Sequence, residues 1–325
     1  AFSTTDDADY NVAIGYKAMQ DLSTSLNDGE GLNTAVGALA LSEATTCQYN
    51  VAVGYKAIGD GICTGNGNTA IGKEAGLNIT SGSVNVVIGH TAGASLVTGA
   101  QNIIIGDAAA NETVSNAISG NASVIIGYQA GNEMQGATTN NTCVGAAAGI
   151  ALTTGANNLF LGHDAGRSGS PGGEKTTGSS DICLGDEDID QANIEVDWTV
   201  ASDKRDKTDV KDLDLGLEFI NKLTPVTYKW DKRSKYGNKY EEGYDLNAQV
   251  PDGTHKQDWL DVGFLAQDVA DIEASYNYKI SEKTNLTTSL SDDGKQYGTK
   301  YAKFVPMLVK AVQELSAKVK ALEDA

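Results

Sequence analysis

Asn68-Thr-Ala-Ile-Gly72, followed three residues later by Ala75, is one copy of a repeat that decides the fold of this chain. Copies of it recur throughout residues 11–185, and the glycines of successive copies are 17 to 23 residues apart. The ten copies begin at Asn11, Asn33, Asn50, Asn68, Asn85, Asn102, Ser123, Asn141, Asn158 and Asp181. A repeat of this length indicates a solenoid, in which each copy forms one rung and stacked rungs share a core that a single rung could not bury.

Three consecutive strand-forming or small residues precede the glycine of each copy, as in Val86-Val-Ile before Gly89. They predict a short β-strand that is buried on both faces. The residue before the glycine is always Ile, Val or Leu, so we expect it to face the core together with the residue two positions earlier. The Asn that starts a copy is expected to hydrogen-bond its own backbone in a turn. The glycine is expected where the backbone needs freedom or close approach.

The pattern Asn-x-Ala-Ile-Gly-x-x-Ala resembles the repeats of trimeric autotransporter adhesin heads and of phage tail fibres. This resemblance implies a parallel β-roll or β-helix in which three chains associate around one axis. The predicted fold is therefore mainly β, a trimeric parallel β-solenoid of about ten rungs of 17–18 residues. A small α+β domain that ends in a trimeric coiled-coil helix is predicted to follow it. We place the fibre domain at residues 1–201 and the second domain at residues 202–325.

The two predicted domains differ in charge. Residues 1–201 contain 5 basic and 21 acidic residues, whereas residues 202–325 contain 19 and 22. Such an acidic surface disfavours nucleic acid, whose phosphates need cationic partners, and it disfavours anionic membranes. No run of 18 apolar residues exists that could span a bilayer. We therefore expect neither a nucleic-acid partner nor membrane insertion.

The four cysteines and two of the three histidines lie within the repeats and give no pattern of metal ligands. Cys47, Cys63, Cys143 and Cys183 lack CxxC spacing and are expected to be small core residues. His90 and His163 follow repeat glycines, at a position where Tyr, Lys, Asp and Ala also occur, so we expect them to be exposed. Residues 186–190 could bind calcium but lack an EF-hand pattern, and a solvated acidic loop is favoured there. No cofactor or metal is predicted.

The repeats give way to the charged stretch Ser202-Asp-Lys-Arg-Asp-Lys207. A Ser hydroxyl becomes a nucleophile when a base lies next to it, and a neutral Lys amine can be that base. Desolvation and neighbouring cations, here Lys204 and Arg205, would lower the pKa of such a Lys. Ser202 is also placed to attack the carbonyl carbon of Ala201. Taken alone, a Ser and a Lys five residues apart favour a charged linker with a Ser in a turn.

Two motifs in order support the more specific interpretation. The motif Ser202-Asp-x-Arg-x-Lys207 with Val210 after it, and later Gly263-Phe-Leu-Ala-Gln-Asp-Val269, resemble the C-terminal intramolecular chaperone of endosialidase-type phage tail spikes and fibres. The same module occurs in a few eukaryotic membrane-bound transcription factors. The resemblance implies a domain that promotes trimerisation and then cleaves the Ala201–Ser202 bond, with Ser202 as nucleophile and Lys207 as base. An acyl shift at Ser202 and other Ser-Lys routes both remain open.

The remainder of residues 202–325 fits a small mixed domain. Apolar spacing predicts a short helix over 213–223 and a strand over 226–230. A strand leading into a helix is predicted at 262–269, and Pro306 is well placed in the first turn of a final helix. That helix carries a coiled-coil seam of Leu308, Val312, Leu315, Val319 and Leu322.

Together these features predict the C-terminal region of a homotrimeric phage tail fibre that is a self-cleaving serine endopeptidase acting once. Its expected partners are two further copies of the chain and a host cell-surface receptor or glycan. Upstream tail-fibre segments are expected as well, because the sequence starts at Ala1 without Met or a signal peptide. It is expected in the virion after assembly in the host cytoplasm. The longer loops 20–32 and 107–122 are candidate receptor contacts.

Three alternative functions remain open. A non-proteolytic bacterial trimeric adhesin head would share the repeats but should end in a membrane anchor. A polysaccharide-degrading tail spike would need paired carboxylates across a groove. A eukaryotic transcription factor would need a basic DNA-binding domain, which the acidic repeats oppose.

Overall fold

The computed structural model describes residues 10–22, 31–111, 117–241 and 243–325. The chain divides into two compact units, Ala1–Asp188 and Ile189–Ala325. The loops 20–32 and 107–122, proposed above as receptor contacts, lie partly outside the described residues. The boundary at residues 201/202 is set by the expected cleavage site and stays a prediction.

The first unit is a parallel β-solenoid, as the repeats predict. Ten three-residue strands, one from each copy, form a single parallel sheet in chain order, and corresponding residues such as Ala52 and Ala70 are paired. The strands are β1 Val12–Ile14, β2 Thr34–Val36, β3 Val51–Val53, β4 Thr69–Ile71, β5 Val86–Ile88, β6 Ile103–Ile105, β7 Val124–Ile126, β8 Thr142–Val144, β9 Leu159–Leu161 and β10 Ile182–Leu184. The predicted fold class, a mainly β parallel solenoid followed by a small domain with a C-terminal helix, is confirmed.

The prediction of which strand residues face the core is wrong. In β2 to β10 the middle residue is buried, whereas the first and third residues point away from the core and are partly or largely exposed. The exposed fraction is 59% for Ile14 and 70% for Ile182. The reason is that a three-residue strand can place only one side chain inside the rung. The second apolar face predicted from the sequence exists, but the described residues of a single chain leave it partly or largely exposed. We call these first and third strand residues the outward stripe.

The repeat Asn residues form a buried asparagine ladder along the solenoid. The backbone N–H of Asn68 donates to Oδ1 of Asn50 at 2.8 Å, and Nδ2 of Asn50 donates to the carbonyl of Gly65 at 3.0 Å. These bonds join neighbouring rungs, whereas the sequence predicts a bond to the residue's own backbone. Equivalent Asn residues stack at the strand spacing of about 4.8 Å, so each amide reaches the next rung.

The repeat glycines form a second column, in which neighbouring rungs approach each other too closely for a side chain. A Cβ on Gly54 would lie 2.3 Å from the carbonyl oxygen of Gly72, and its φ is +133°. Real Cβ contacts are never this short, and the backbone angle itself favours glycine. The prediction of close backbone approach at this position is confirmed.

Small side chains fill the core at the corners. The Ala three residues after the repeat glycine is fully buried in nine copies, at Ala18, Ala40, Ala57, Ala75, Ala92, Ala109, Ala130, Ala148 and Ala165. The four cysteines are buried and carry free thiols, which confirms their prediction as core residues. Burial raises the pKa of the Cys143 thiol to about 12, so this cysteine stays uncharged in the core.

The second unit is a small α+β domain. Its helices are α1 Leu217–Lys222, α2 Ala266–Ser275 and α3 Phe304–Glu323. Its strands are β11 Val226–Tyr228, β12 Asp261–Gly263, β13 Thr288–Leu290 and β14 Tyr297–Thr299, paired antiparallel as β11–β12 and β13–β14. The predicted helix at 213–223, the strand at 226–230, the strand-to-helix step at 262–269 and the final helix are all present. Several are shorter than predicted, because flanking residues such as 213–215 and 229–230 adopt no regular secondary structure.

A compact core joins the helices of this unit. Leu215, Phe219, Val269, Phe304 and Met307 are buried together, and α1 packs on α3. The backbone N–H of Leu217, at the start of α1, donates to Oε2 of Glu314 on α3 at 2.8 Å, which satisfies a helix-terminal donor.

Glu273 on α2 is fully buried and ties this helix to the β13–β14 hairpin. Its Oε1 accepts from the backbone N–H of Thr287 at 2.6 Å, and its Oε2 accepts from the hydroxyl of Thr288 at 2.5 Å. Two further donors, the N–H of Leu286 and the hydroxyl of Thr287, also reach Oε1. A buried carboxylate is tolerated here because four donors replace its water.

The predicted seam of α3 is exposed in a single chain. Leu308, Val312, Leu315, Val319 and Leu322 are each at least 45% exposed, whereas Phe304, Met307 and Ala311 face the domain core. The helix therefore has two apolar faces, of which only one is covered. Within the described ranges, none of the helices has the length and apolar character required to cross a membrane.

Candidate functional site

The site predicted at the junction is built on one tight turn. Lys204–Asp206 form a single turn of 3-10 helix, and Asp203 caps its start by accepting the backbone N–H of Arg205 on Oδ1 at 2.9 Å. The backbone N–H of Lys207 closes the turn on the carbonyl of Lys204 at 3.3 Å. Asp is favoured at such a position because its short carboxylate satisfies an otherwise unpaired N–H. The turn reverses the chain immediately after Ser202.

This reversal brings the two predicted site residues together. Nζ of Lys207 donates to Oγ of Ser202 at 2.6 Å and to the backbone carbonyl of Ser202 at 3.3 Å. A nucleophile and its base must lie within hydrogen-bond reach of each other, and this pair does. The Ala201–Ser202 peptide bond ends at Ser202, so the predicted scissile bond adjoins the residue that the proposed base contacts.

The side chains of Asp203 and Arg205 form a second contact within this turn. Nη2 of Arg205 lies 2.6 Å from Oδ2 of Asp203, and Nε of Arg205 lies 3.1 Å from Oδ1. This two-point contact lowers the pKa of the Asp203 carboxyl below its usual value, and the backbone N–H of Arg205 contributes further. The same contact raises the pKa of Arg205. The sequence motif contains both residues, but reasoning from nucleophile and base alone assigns them no role.

The whole junction is open to solvent in a single chain. Every residue from 188 to 212 is exposed. The desolvation of Lys207 that the sequence interpretation invokes is therefore not supplied within one chain. The other invoked cause, a neighbouring cation, is weakened as well, because Arg205 is already paired with Asp203.

The segment before the junction alternates apolar and polar side chains. Ile194, Val196, Trp198 and Val200 alternate with Glu195, Asp197 and Thr199. The four apolar residues are between 52% and 77% exposed, and the segment forms no strand in a single chain. Period-two alternation is typical of a strand with one buried face.

One group of side chains in the solenoid could hold a metal ion. His163, Asp164 and Asp186 place ligand atoms within 4.8 Å of one another. Nδ1 of His163 lies 2.9 Å from Asp186, and Arg167 already pairs with Asp164 at 3.3 Å.

Asp186 and Glu187 are buried, so the prediction of a solvated loop at 186–190 is wrong for these two residues. His163 and His90 are exposed, as predicted, and His90 pairs with Asp107 at 2.8 Å.

A shallow cleft lies on the solenoid between successive rungs. It is lined by Asp60, Gly61, Asn78, Thr80, Ser95, Val97 and Ala117. Its one carboxylate, Asp60, is paired with Lys56 at 2.8 Å, and no aromatic residue lines it. Glycosidases need two carboxylates across the scissile bond. This cleft therefore gives no support to the alternative of a polysaccharide-degrading spike.

Comparison with known proteins identifies the C-terminal part of the chain. Residues 202–278 match the model of a peptidase family described as "Chaperone of endosialidase". The matched segment begins at Ser202 and includes the turn, α1, β11, β12 and α2. No curated protein and no solved structure shows a significant match to the chain. With the solenoid before it, this segment fits an endosialidase-type chaperone domain of the tail-fibre type. The family implies, in general terms, a self-cleaving peptidase.

Proposed function

We propose that this chain is the C-terminal region of a homotrimeric phage tail fibre, whose last domain assembles three chains and then cuts itself off between Ala201 and Ser202. The observation that carries the proposal is the coincidence of two sequence boundaries and one side-chain contact at or just before Ser202. The family match begins there, the acidic repeats have ended just before, and Lys207 Nζ reaches the Ser202 hydroxyl.

In the proposed cleavage Ser202 is the nucleophile and Lys207 is the base. A neutral Lys207 amine accepts the proton of the Ser202 hydroxyl, and Oγ attacks the carbonyl carbon of Ala201. The C–N bond of the peptide then breaks, and the proton passes to the leaving amine of Ser202. The resulting ester between Ala201 and Oγ is hydrolysed by water, which leaves a carboxylate on Ala201 and a free amine on Ser202. Each chain is cut once.

Three exposed apolar surfaces support assembly into a trimer. They are the outward stripe of the solenoid, the alternating residues of 194–200 and the seam of α3. Contiguous apolar surface of this extent is uncommon on a protein that functions as a monomer. The α3 residues follow coiled-coil spacing, and each surface belongs to an element that three parallel copies could bury around one axis.

A chaperone domain at the C-terminus would solve a register problem. The strands of the outward stripe are only three residues long and nearly identical from rung to rung. A slip by one rung between chains would therefore cost little at first and would leave strand edges exposed. Joining three C-termini raises the effective concentration of each chain for the others and sets the register from one end. Removal of the domain afterwards would leave a kinetically trapped fibre.

Expression of matched variants tests the cleavage. The wild type is expected to yield a C-terminal fragment of residues 202–325 that begins with Ser202, seen on denaturing gels and by N-terminal sequencing. Ser202→Ala and Lys207→Met are expected to abolish the fragment. Lys204→Met is the control, because this neighbouring Lys does not contact Ser202 in the structure. An uncut wild type, or a Ser202→Ala protein that is still cut at the same bond, would contradict the proposal.

Receptor binding and location in the virion are part of the same proposal. A tail fibre would present its solenoid to a host cell-surface receptor or glycan and would join upstream fibre segments. A non-proteolytic trimeric adhesin head is the second candidate, because the repeats alone suit it equally well. Cleavage in the wild type would exclude this second candidate. A polysaccharide-degrading spike would instead require activity on host glycans.

A further inference from the structure

The charges around Lys207 set a condition on the proposed cleavage. A Lys acts as a base only when it has lost its proton, and a nearby carboxylate favours the protonated form. Asp203 is adjacent to the nucleophile in sequence and lies in the same turn as Lys207. A free Asp203 carboxylate would therefore compete with Ser202 for the ammonium group of Lys207.

In the structure this carboxylate is fully occupied by other donors. Oδ1 of Asp203 accepts from the backbone N–H of Arg205 at 2.9 Å and from its Nε at 3.1 Å. Oδ2 of Asp203 lies 2.6 Å from Nη2 and 3.2 Å from Nε of the same Arg205. Among the described residues, Lys207 forms side-chain hydrogen bonds only with Ser202, through Oγ and the backbone carbonyl. Bidentate contact of this kind suits the planar guanidinium of Arg and is not available to Lys.

We propose that Arg205 is a positioning residue that holds the Asp203 carboxylate away from Lys207, so that Lys207 can lose its proton while Asp203 still caps the turn. The proposal rests on the self-cleavage proposed above and adds a reason for two further positions of the motif. Arg205 touches neither the scissile bond nor Ser202, so its effect on cleavage passes through Asp203 and Lys207.

The other charged side chains within three residues of Lys207 in sequence are Lys204, Asp206 and Asp209. Every residue from 188 to 212 is exposed. These three side chains stay unchanged in the variants below. Their effect on the cleavage rate is therefore the same in every variant, and a difference in pH dependence between variants reports on Asp203 and Arg205.

Replacement of Arg205 by Gln is expected to free the Asp203 carboxylate to pair with Lys207. An ion pair at about 4 Å in an exposed setting shifts a pKa by about 0.5–1 unit. The pH dependence of cleavage should therefore move to higher pH by that amount. In the pH range where the rate still rises with pH, Arg205→Gln should cleave roughly 3- to 10-fold more slowly than the wild type, because the neutral fraction of the amine falls by that factor. Where the rate no longer rises with pH, the two rates should converge.

Asp203→Asn is the matched partner variant. Its amide oxygen can still cap the turn by accepting from the N–H of Arg205, but its charge is gone. The double variant Asp203→Asn with Arg205→Gln should therefore show the pH dependence of Asp203→Asn alone. If Arg205 served only to stiffen the turn, its loss would slow cleavage equally at every pH, and removal of the Asp203 charge would not restore the profile.

The measurement follows cleavage of newly made full-length chain. Radiolabelled protein from cell-free translation is transferred to buffers between about pH 6 and pH 10, and release of residues 202–325 is timed on gels. Native gels of the same variants on a Ser202→Ala background show at each pH whether the chain still assembles. A shift with Arg205→Gln that the double variant removes supports the proposal. An unshifted Arg205→Gln profile, or a double variant as shifted as the single, overturns it. A wild type that never cleaves would instead overturn the proposed function.

Discussion

The asparagine ladder gives a quantitative test of how the solenoid is held together. Asn85 lies in the middle of the ladder and uses both ends of its amide. Its Nδ2 donates to Oδ1 of Asn68 and to the carbonyl of Gly99, each at 2.9 Å. Its Oδ1 accepts from the backbone N–H and from Nδ2 of Asn102, at 2.9 and 3.1 Å. Asn85→Ala removes all four bonds inside a buried column.

The expected cost follows from the groups left without partners. Asn68 keeps the backbone N–H of residue 85, and Nδ2 of Asn102 keeps the carbonyl of Gly120. The carbonyl of Gly99 and the backbone N–H of Asn102 lose their ladder partner. Each buried unsatisfied group costs about 1–3 kcal/mol, so Asn85→Ala should lower local stability by about 2–6 kcal/mol.

The ladder itself supplies a matched variant. Ser123 occupies the equivalent position in its rung, and its Oγ accepts the backbone N–H of Asn141 at 3.2 Å. Asn85→Ser should therefore keep an acceptor for the backbone N–H of Asn102, so that only the carbonyl of Gly99 is left without a partner. We expect about half the cost of Asn85→Ala, about 1–3 kcal/mol.

Hydrogen exchange measured on the Ser202→Ala background suits this test, because it reports local opening without requiring reversible unfolding of the whole fibre. Amides in the rungs of Asn68 to Asn102 should exchange roughly thirty-fold faster or more in Asn85→Ala, since 1.4 kcal/mol is a factor of ten. The rung of Asn158 should be unchanged. The ladder explanation is wrong if Asn85→Ala leaves exchange within about twofold of the parent, or if Asn85→Ser is as damaging as Ala.

Three further substitutions probe other parts of the molecule. Gly89→Ala would place a Cβ 2.4 Å from the carbonyl of Gly106 at a φ of +136°, so we expect loss of protease-resistant solenoid, and an unchanged digest would contradict the close approach. Glu273→Ala would leave four donors without their acceptor and should destabilise the C-terminal unit by about 3–5 kcal/mol, measured as faster exchange in α2 and the β13–β14 hairpin. Leu315→Lys, in the exposed seam of α3, should reduce the assembled mass measured by light scattering, whereas Lys318→Glu, an exposed neighbour, should not.

Much of the fold could be predicted from the sequence, because ten copies carry the same pattern of residue types at nearly the same spacing. The position of each strand, the burial of the corner alanines and cysteines, and the backbone approach at the glycines follow from residue type and period. Residue type and period do not predict which side chains of each strand point into the core of the rung. Alternation places Ile14 and Val12 on one face, but it does not say which face is inside a rung. In β4 the sequence Thr-Ala-Ile puts the smallest of the three side chains inward.

The prediction that each repeat Asn bonds its own backbone is wrong for a related reason. A single copy shows an Asn at a turn, and the common behaviour of such an Asn is a bond to its own backbone. Stacking places the next Asn directly above it, and the bond between rungs replaces the local one. This partner lies 17 or 18 residues away for Asn50 and Asn68, so only the three-dimensional arrangement reveals it.

The sequence predicts the two central residues of the candidate site, but it predicts neither the contact between Asp203 and Arg205 nor the exposure of the site to solvent. Spacing and motif place Ser202 and Lys207 together, and the structure joins them at 2.6 Å. The clamp of Asp203 by Arg205 depends on the geometry of a 3-10 turn, which residue types alone do not specify. The exposure of the site could not be predicted either, because the sequence of one chain does not record what its copies would cover.

Native mass spectrometry of freshly purified wild-type protein tests the central claim most directly, because it reports assembly and cleavage in one spectrum. We predict complexes that contain three copies of residues 1–201, with the 124-residue fragment 202–325 either released or bound as three separate chains. The Ser202→Ala protein should give the same threefold assembly with all 325 residues intact. A wild-type spectrum of single, uncut 325-residue chains would contradict both the assembly role and the self-cleavage of the C-terminal domain.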